Sequence, residues 1–326
     1  MARVLSGVKP TGRPHIGNYL GAMKQFVEMQ DQNECFIFVA NYHALTTLHD
    51  SKLMEKQTIG VVLDYLAIGL DPKKVNLFLQ SDVPEVTELA WILGCVTPMG
   101  LLERAHAYKD AKDKNRQINW GVFSYPVLMA ADILIYQSDL VPVGRDQKQH
   151  VEMARDIAEY FNSAFGKTFK IPKEQIKKEV ETITGLDGRK MSKSYDNYIG
   201  IFDEPDVIRQ KVSGMVTDVK RIKRDDPGHP DECNAFQLIK LFEEISAKQI
   251  ADECRKATLG CVDCKKQLAE NIVSYLEPMR QKRAELENKT GYVMDVLQDG
   301  AKKAQDIARK TLADARQKVG FFVAEK

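Results

Sequence analysis

Two lysines stand three positions apart on a stretch of small residues near the middle of the chain, Lys190-Met191-Ser192-Lys193-Ser194. Two cations at this spacing can neutralise a pyrophosphate leaving group, and nucleotidyl transfer depends on positioning and charge stabilisation of this kind. The alternative is a solvated basic loop, which is the usual fate of a lysine pair. The lysines alone therefore indicate anion chemistry without requiring it.

A second segment has the composition of a phosphate-binding turn. It follows a short apolar strand, opens a helix and runs Lys9-Pro10-Thr11-Gly12-Arg13-Pro14-His15-Ile16-Gly17-Asn18. Glycines let backbone amides approach a ligand closely, and a helix N-terminus favours an anion. A histidine and an asparagine stand where phosphate oxygens would lie. Because the same strand–turn–helix is common in proteins that bind no phosphate, both interpretations stay open at this point.

Four of the six cysteines crowd into one segment of the C-terminal third: Cys233, Cys254, Cys261 and Cys264. The last two form a two-residue hook such as metal sites use, whereas zinc ribbons usually present two such hooks. Four thiolates also suit an iron–sulfur cluster. An iron–sulfur cluster, a zinc site and free thiols are the three interpretations.

Apolar strand-length runs alternate with helical patterns over the first part of the chain. Runs near residues 4–6, 35–40, 75–79 and 140–143 predict strands, and helical patterns begin near Gly17 and after an N-cap at Asp50 or Ser51. Such alternation predicts a doubly wound parallel α/β sheet, with ligands beyond the carboxyl ends of the strands. Residues 167–193 are rich in lysine and lack periodicity, which predicts a long mobile connection.

Beyond about residue 203 the strand patterns give way to helical stripes. We therefore expect two domains, a catalytic nucleotide-binding domain over residues 1–202 and a helical domain over residues 203–326, whose last helix packs back on the first domain.

Composition excludes several classes of protein. Of 326 residues, 44% are hydrophobic and 29% charged, which is typical of a globular protein with a sizeable core. The formal net charge of +1 argues against a protein that coats DNA or RNA non-specifically, so any RNA contact must come from local patches. We find no transmembrane segment and no secretory signal, and therefore expect a cytoplasmic protein whose cysteines form no disulfides.

Taken together, the two phosphate-type segments are specific. His15-Ile16-Gly17-Asn18 and Lys190-Met191-Ser192-Lys193-Ser194 resemble the two ATP-binding motifs of class I aminoacyl-tRNA synthetases. The second motif matches fully, and the first has Asn18 where the commonest form has histidine. Three further stretches resemble the tryptophan–tRNA ligase family, namely residues 6–12, 125–134 and 141–150. The resemblance covers nearly the whole chain.

This resemblance implies activation of L-tryptophan by ATP with Mg²⁺, followed by transfer to tRNA(Trp), in a homodimer with a helical anticodon-binding domain. It implies catalytic roles for Lys190, Lys193 and His15. ATP contacts are implied for a longer set of residues: Lys9, Pro10, Thr11, Gly17, Asn18, Gly144, Arg145, Asp146, Ile183, Lys190, Met191, Ser192, Lys193 and Ser194. A further lysine is implied to meet ATP, and Lys109 and Lys112 are both candidates.

For the amino acid, the resemblance assigns Asp132 to the indole N–H, which is a donor without an acceptor. The apolar neighbours of Asp132 favour burial over a surface carboxylate. Met129 lies one helical turn earlier and would line the same pocket, or else belong to ordinary core. His43, Gln147 and Tyr125 complete the implied set, and His43 is equally compatible with a structural hydrogen bond.

The four cysteines resemble those of a subset of bacterial tryptophan–tRNA ligases that carry a [4Fe-4S] cluster. We expect such a cluster to pin the anticodon-reading region rather than to perform redox chemistry, because no second redox centre is visible. Zinc is the alternative. A basic run precedes the cysteines and is a candidate RNA contact or a solvated turn: Lys211, Lys220, Arg221, Lys223 and Arg224.

Three positions implied to lie near the ATP and amino-group contacts depart from the family pattern: Lys9, Asn41 and Arg145. The competing interpretations of the whole chain are a tyrosine–tRNA ligase, a non-catalytic RNA-binding paralogue and an iron–sulfur sensor. A paralogue without activity would be expected to lose motif residues that are all present here.

Overall fold

The structure, a computed structural model, describes residues 1–115, 117–144, 147–176, 183–242 and 244–322. The predicted ATP contacts Arg145 and Asp146 lie outside these residues. Backbone contacts divide the chain into two compact units. The first comprises Met1–Gly12, Gln25–Lys178 and Lys289–Lys326, and the second comprises Arg13–Lys24 and Glu179–Asn288.

The first unit is built on a parallel sheet of five strands: β1 (Arg3–Val8), β2 (Glu34–Val39), β3 (Val75–Leu79), β4 (Leu140–Pro142) and β5 (Lys173–Gln175). Their order is β3-β2-β1-β4-β5, and every pairing is parallel. The strands β2 and β3 lie on one side of β1, and β4 and β5 lie on the other, so the order changes direction at β1 as in doubly wound folds. The predicted α/β class is therefore confirmed.

Strand β5 corrects the expectation for residues 167–193. We predicted a connection without regular structure there, but Lys173–Gln175 pairs in register with β4. Its alternation of lysine, glutamate and glutamine carries no apolar pattern, because it forms the sheet edge. Edge strands of three residues leave too little periodicity to be recognised.

Helices flank this sheet, with bounds as follows: α2 (Lys24–Met29), α3 (Asn41–Ala44), α4 (Ser51–Ala67), α5 (Glu85–Gly94), α6 (Met99–Glu103), α7 (His106–Asp113), α8 (Trp120–Ile135), α9 (Lys148–Phe165) and α14 (Thr290–Lys318). The predicted cap of α4 is confirmed, since the Asp50 carboxylate accepts from the Leu53 N–H at 2.9 Å. Val62, Tyr65 and Leu66 of α4 are buried, whereas Ile59 is 41% exposed.

The core beneath the sheet is centred on three aromatic rings. Phe36 of β2 stacks on Tyr136 at 5.5 Å between centroids, and Phe78 of β3 meets the edge of both rings. Helix α14 packs along β3, where a side chain at Gly300 would begin 2.1 Å from the Leu77 carbonyl oxygen. Glycine is thus required at position 300 for the helix to approach the strand backbone.

The second unit is helical. It contains α1 (Ile16–Asn18), which continues as a π-helical segment (Tyr19–Met23), and then α10 (Pro205–Ser213), α11 (Asn234–Phe242), α12 (Glu244–Arg255) and α13 (Cys261–Glu287). Helix α10 packs against α13, and α11 packs against both α12 and α13. None of the helices in the described ranges combines the length and apolarity that crossing a lipid bilayer requires.

Candidate active site

The two motifs predicted to bind ATP lie side by side within the second unit. The N–H of Ile16 donates to the Ile199 carbonyl at 2.9 Å, and the N–H of Ile201 donates to the Pro14 carbonyl at 3.1 Å. His15 thereby pairs with Gly200 as an antiparallel bridge. The turn at residues 13–18 is thus anchored by backbone bonds to the segment that directly follows the lysine motif.

His15 and Asn18 hold one another at the start of α1. The His15 Nδ1 accepts from the Asn18 N–H at 3.2 Å, and the Asn18 Oδ1 accepts from the His15 N–H at 3.2 Å. Because Nδ1 is an acceptor, the neutral ring carries its proton on Nε2. Burial first, and then the charges of Lys193 and Lys190, lower the pKa of His15 to about 4. At neutral pH His15 is therefore an uncharged N–H donor close to two lysines.

Asn197 fixes the backbone of the lysine motif. Its Oδ1 accepts from the Ser192 N–H at 2.8 Å, and its Nδ2 donates to the Lys190 carbonyl at 3.1 Å and to the Asp187 carboxylate at 2.7 Å. Asn197 is 3% exposed, and Met191 of the motif is also buried. The motif is therefore anchored at its backbone while the side chains of Lys190 and Lys193 are exposed. This bracing residue was missed in the sequence, where an asparagine beyond the motif has no distinctive pattern.

We expect the lowered pKa of His15 to make stability pH-dependent. In the unfolded chain this histidine takes up a proton near its ordinary value of 6.5, whereas in the folded protein it does so only near 4. Acid therefore favours unfolding, so stability is complete above pH 6.5 and is lost as the pH falls from 6.5 towards 4. The free energy of unfolding should fall by on the order of 1 kcal/mol more between pH 7 and pH 5 than in His15→Asn, allowing for solvent screening. Urea titrations of both proteins at the two pH values measure this difference, and equal losses would contradict it.

Lys9 lies in the first unit, at the end of β1. Its Nζ donates to the Thr46 Oγ1 at 3.2 Å, and burial lowers its pKa. The carbonyl of the predicted ATP contact Gly144 accepts from the Gln147 N–H at 3.0 Å, and the carbonyl of Ile183, in the second unit, accepts from the Met191 N–H at 2.8 Å. Lys109 and Lys112 are both exposed on α7, so burial does not distinguish between them.

A buried polar cluster surrounds Asp132 in the first unit, at the carboxyl ends of β2 and β3. The Asp132 Oδ2 lies 2.9 Å from the His43 Nε2, and both carboxylate oxygens accept from the Gln80 Nε2, at 2.8 and 3.0 Å. Asp132 is 2% exposed and Gln80 is 1% exposed. Burial raises the pKa of Asp132, and the hydrogen bonds from His43 and Gln80 oppose that rise. Asp132 is therefore a desolvated hydrogen-bond acceptor whose position is held by His43 and Gln80.

Tyr125 and His150 continue the polar surface next to His43. The Tyr125 hydroxyl lies 2.5 Å from the His150 Nε2, and its ring meets the edge of the His43 ring at 6.1 Å between centroids. Burial raises the pKa of Tyr125 to about 12, so it remains a neutral hydroxyl. Met129 is half-buried on the same helix, one turn from Asp132. Sequence reasoning therefore identified Tyr125, Met129, Asp132 and His43, and missed Gln80 and His150.

Comparison with known proteins identifies the family of this chain. The family model of class I tRNA synthetases for tryptophan and tyrosine matches residues 1–277. A tryptophan–tRNA ligase of Rhodopirellula baltica is 47% identical over 320 residues, which cover 98% of this chain and 99% of the relative. The crystal structure of tryptophanyl-tRNA synthetase from Campylobacter jejuni complexed with ADP and tryptophan matches with a TM-score of 0.91 at 43% identity, over 98% of this chain and 100% of that one.

This chain belongs to the tryptophan–tRNA ligase family. It is accordingly a ligase, a class I aminoacyl-tRNA synthetase of bacterial type. A second structure, from Mycoplasma pneumoniae, is 31% identical with a TM-score of 0.82 and covers 99% of this chain and 98% of that one. Tyrosyl-tRNA synthetases of archaea match at 18–19% identity, which shows the shared fold alone.

The four clustered cysteines of this family member line one pocket in the second unit. Thr217, Asp218, Arg221, Ala235 and Leu259 complete its wall. Burial first, and then the neighbouring thiols, raise the pKa of Cys264 to about 12. The Arg221 guanidinium lies 4.0 Å from the Cys261 Sγ and donates to the Leu259 carbonyl at 2.8 Å.

No group of three or more histidine, cysteine, aspartate or glutamate side chains in the described ranges is arranged to hold a metal ion. Cys233, Cys254, Cys261 and Cys264 thus line one pocket, but the predicted metal at this pocket is not shown.

Proposed function

We propose that this ligase activates L-tryptophan with ATP and transfers it to tRNA(Trp), and that the side chains described above carry out the reaction. The tryptophan carboxylate attacks the α-phosphorus of ATP in line, pyrophosphate leaves, and a ribose hydroxyl of the tRNA then attacks the adenylate. No side-chain nucleophile takes part, so positioning and fixed charge supply the catalysis.

Lys190 and Lys193 would neutralise the negative charge that develops on the pyrophosphate leaving group, and Mg²⁺ would supply further positive charge when bound. The neutral His15 donates from Nε2 to a phosphate oxygen, and the amide groups around Gly17 and Asn18 at the start of α1 favour the same anion. The observation that supports this assignment best is the backbone pairing of the two motifs around an uncharged histidine. The remaining predicted ATP contacts would position the nucleotide: Lys9, Pro10, Thr11, Gly144, Arg145, Asp146, Ile183, Met191, Ser192 and Ser194.

Asp132 would accept the indole N–H, with His43, Tyr125, Met129 and Gln147 lining the amino-acid pocket. A buried carboxylate is a strong partner for a lone donor. ATP–pyrophosphate exchange with tryptophan and with tyrosine tests both halves of the proposal. Exchange with tryptophan alone is expected, and comparable exchange with tyrosine would overturn the assignment of the pocket. Aminoacylation of a tRNA(Trp) transcript tests the second step.

The helices from residue 203 to α13 would read the anticodon, with the run from Lys211 to Arg224 as candidate phosphate contacts. We also propose that the enzyme is cytoplasmic, because its substrates include tRNA. We further propose a homodimer in which exposed apolar side chains of the first unit are covered. Trp91 and Trp120 are each 71% exposed, and Met99 is 59% exposed, on α5, α8 and α6. Sedimentation equilibrium should give twice the 36.9 kDa chain mass, and a monomer at micromolar concentration would refute this.

We also propose that the cysteine pocket holds a [4Fe-4S] cluster, with zinc as the alternative. Four sulfur donors facing one pocket suit a soft metal group, and the Arg221 guanidinium suits the negative charge of thiolates. When bound, the group would cross-link α11, α12 and α13, and no step of the reaction passes through it. Protein purified anaerobically should contain iron and sulfide in equal amounts. Zinc without iron would identify the alternative, and neither metal would leave free thiols.

A further inference from the structure

The side-chain amide of Gln80 has a fixed orientation. Its Oε1 accepts from the backbone N–H groups of Tyr42 and His43, at 3.0 and 3.3 Å. A backbone N–H is a donor without a lone pair, so the opposite orientation of the amide would place two N–H donors against two others. The Nε2 of Gln80 must therefore face Asp132, and it donates there at 2.8 and 3.0 Å.

This orientation constrains the carboxylate in turn. Asp132 is surrounded by donors, because the Gln80 Nε2 contacts both of its oxygens and the His43 Nε2 lies 2.9 Å from Oδ2. A carboxyl proton on Oδ2 would point at one of these donors. Among the described residues, Oδ1 accepts from Gln80 alone, so it keeps a lone pair for a further donor.

Two hydrogen bonds also join the two segments that carry this network. Asn41, at the start of α3, donates from Nδ2 to the Ser81 Oγ at 2.7 Å, and its Oδ1 accepts from the Ser81 N–H at 3.0 Å. The backbone next to Gln80 is therefore held by the two hydrogen bonds between Ser81 and Asn41. The Gln80 side chain is held by its two hydrogen bonds from Tyr42 and His43. The amide has little freedom to move when a ligand binds.

We propose that Gln80 is a positioning residue that determines amino-acid specificity. It holds the Asp132 carboxylate in place so that one lone pair, on Oδ1, stays free to accept the indole N–H. The inference rests on the proposed role of Asp132, and adds to it a residue that acts through the carboxylate without touching the reacting atoms. A site built in this way rejects a substrate that has the shape of tryptophan but lacks the donor, because the buried acceptor is then left unmatched.

The test compares tryptophan with its benzothiophene analogue, in which sulfur replaces the indole N–H and the shape is kept. In pyrophosphate exchange, the wild-type enzyme should prefer tryptophan by about 10⁴-fold in kcat/KM. Gln80→Met keeps the length of the side chain and removes the hydrogen bonds of both the amide oxygen and the amide nitrogen. It should lower that preference by about 100-fold, chiefly through a higher KM for tryptophan with kcat within about threefold.

Gln30→Met is the matched control. Gln30 is also a buried glutamine that bridges two loops, donating to the Gly69 carbonyl at 3.2 Å and accepting from the Asp71 N–H at 3.0 Å. Its partners are backbone groups, so its loss should lower the melting temperature and leave the preference for tryptophan unchanged. An equal loss of preference in this control would mean that general loosening explains the effect, and the inference would be overturned.

Gln80→Glu keeps the acceptor for Tyr42 and His43 and replaces only the donor, so it serves if the methionine variant does not fold. It should lose the preference for tryptophan to at least the same extent, because two carboxylates then face each other. An unchanged preference in either folded Gln80 variant would refute the inference. A wild-type enzyme that does not activate tryptophan would instead refute the proposed function, so the two failures are distinguishable.

Discussion

Asp132→Asn is expected to lower kcat/KM for tryptophan by about 10³-fold while making the free protein more stable. The amide has the shape of the carboxylate but carries one donor group. Gln80 and His43 both donate to Oδ2, so the asparagine oxygen takes that position. Its N–H₂ then replaces Oδ1, where it meets the Gln80 Nε2 as well as the substrate. An indole N–H then meets a donor where it needs an acceptor, so the loss should lie mainly in KM.

Stability should change in the opposite direction because the charge of Asp132 is costly to bury. Burial raises the pKa of this group above its unfolded value of 3.8, so the folded protein binds the proton more tightly than the unfolded chain. Stability is then greatest below pH 3.8, falls as the pH rises through the folded pKa, and stays lowered above it. The asparagine side chain has no charge to bury, so Asp132→Asn should melt at a higher temperature than the wild type at pH 7.

Pyrophosphate exchange and thermal unfolding, measured on the same preparations, check the two effects together. Asp64→Asn is the control, since Asp64 is a second buried carboxylate, 1% exposed, on helix α4 of the same unit. It should leave the kinetics for tryptophan unchanged. A variant at position 132 that melts lower and still activates tryptophan at the wild-type rate would contradict both the burial cost and the recognition role.

The sequence was informative where chemistry and local pattern coincide. The turn after β1 contains two glycines, a histidine and an asparagine, and the lysine motif is unusual in composition, so both were predicted as candidate anion sites. The pairing of Ile16 with Ile199 could not be read in the same way, because it joins residues far apart in the chain through backbone atoms alone. Resemblance to a family supplied what local pattern lacked.

Gln80 shows what a local reading misses. It directly follows the buried strand β3, where ligand-facing side chains of a parallel sheet are expected. That position was a signal that could have singled it out, but a glutamine is usually a surface residue and gives no sign of its burial. Its role depends on Asp132 and on two backbone groups of α3, and the three come together only in the fold.

The π-helical segment Tyr19–Met23 was equally invisible, because an apolar stripe cannot distinguish 3.6 residues per turn from a locally wider turn. The cysteines lie between these cases. Their spacing predicted a metal site and the structure places all four at one pocket, whereas the identity of any bound metal depends on thiol chemistry that iron–sulfur clusters and zinc have in common.

Lys193→Ala is expected to lower kcat for adenylate formation by about 10²- to 10³-fold and to leave the dissociation constant for tryptophan within about twofold. Lys193 is exposed on a loop whose backbone Asn197 anchors, so its removal should not disturb the fold. The ammonium group would act on charge that develops as pyrophosphate leaves, and tryptophan alone carries no such charge. Single-turnover kinetics with ATP and calorimetric titration with tryptophan separate the two quantities.

The same variant has a second readout that needs no substrate. After burial, Lys193 is the largest cause of the lowered pKa of His15, so removing its charge should move the His15 titration up from about 4 towards the ordinary value of 6.5. Lys193→Arg keeps the charge and should keep the low pKa, while recovering only part of the rate because the guanidinium has a different shape. Proton NMR of the His15 ring follows the titration directly.

If Lys193→Ala left the pKa of His15 in place, or weakened tryptophan binding as much as catalysis, the lysine would have no special relation to the leaving phosphate. A rate defect that accompanies the shift in the histidine titration would tie both motifs to one anion.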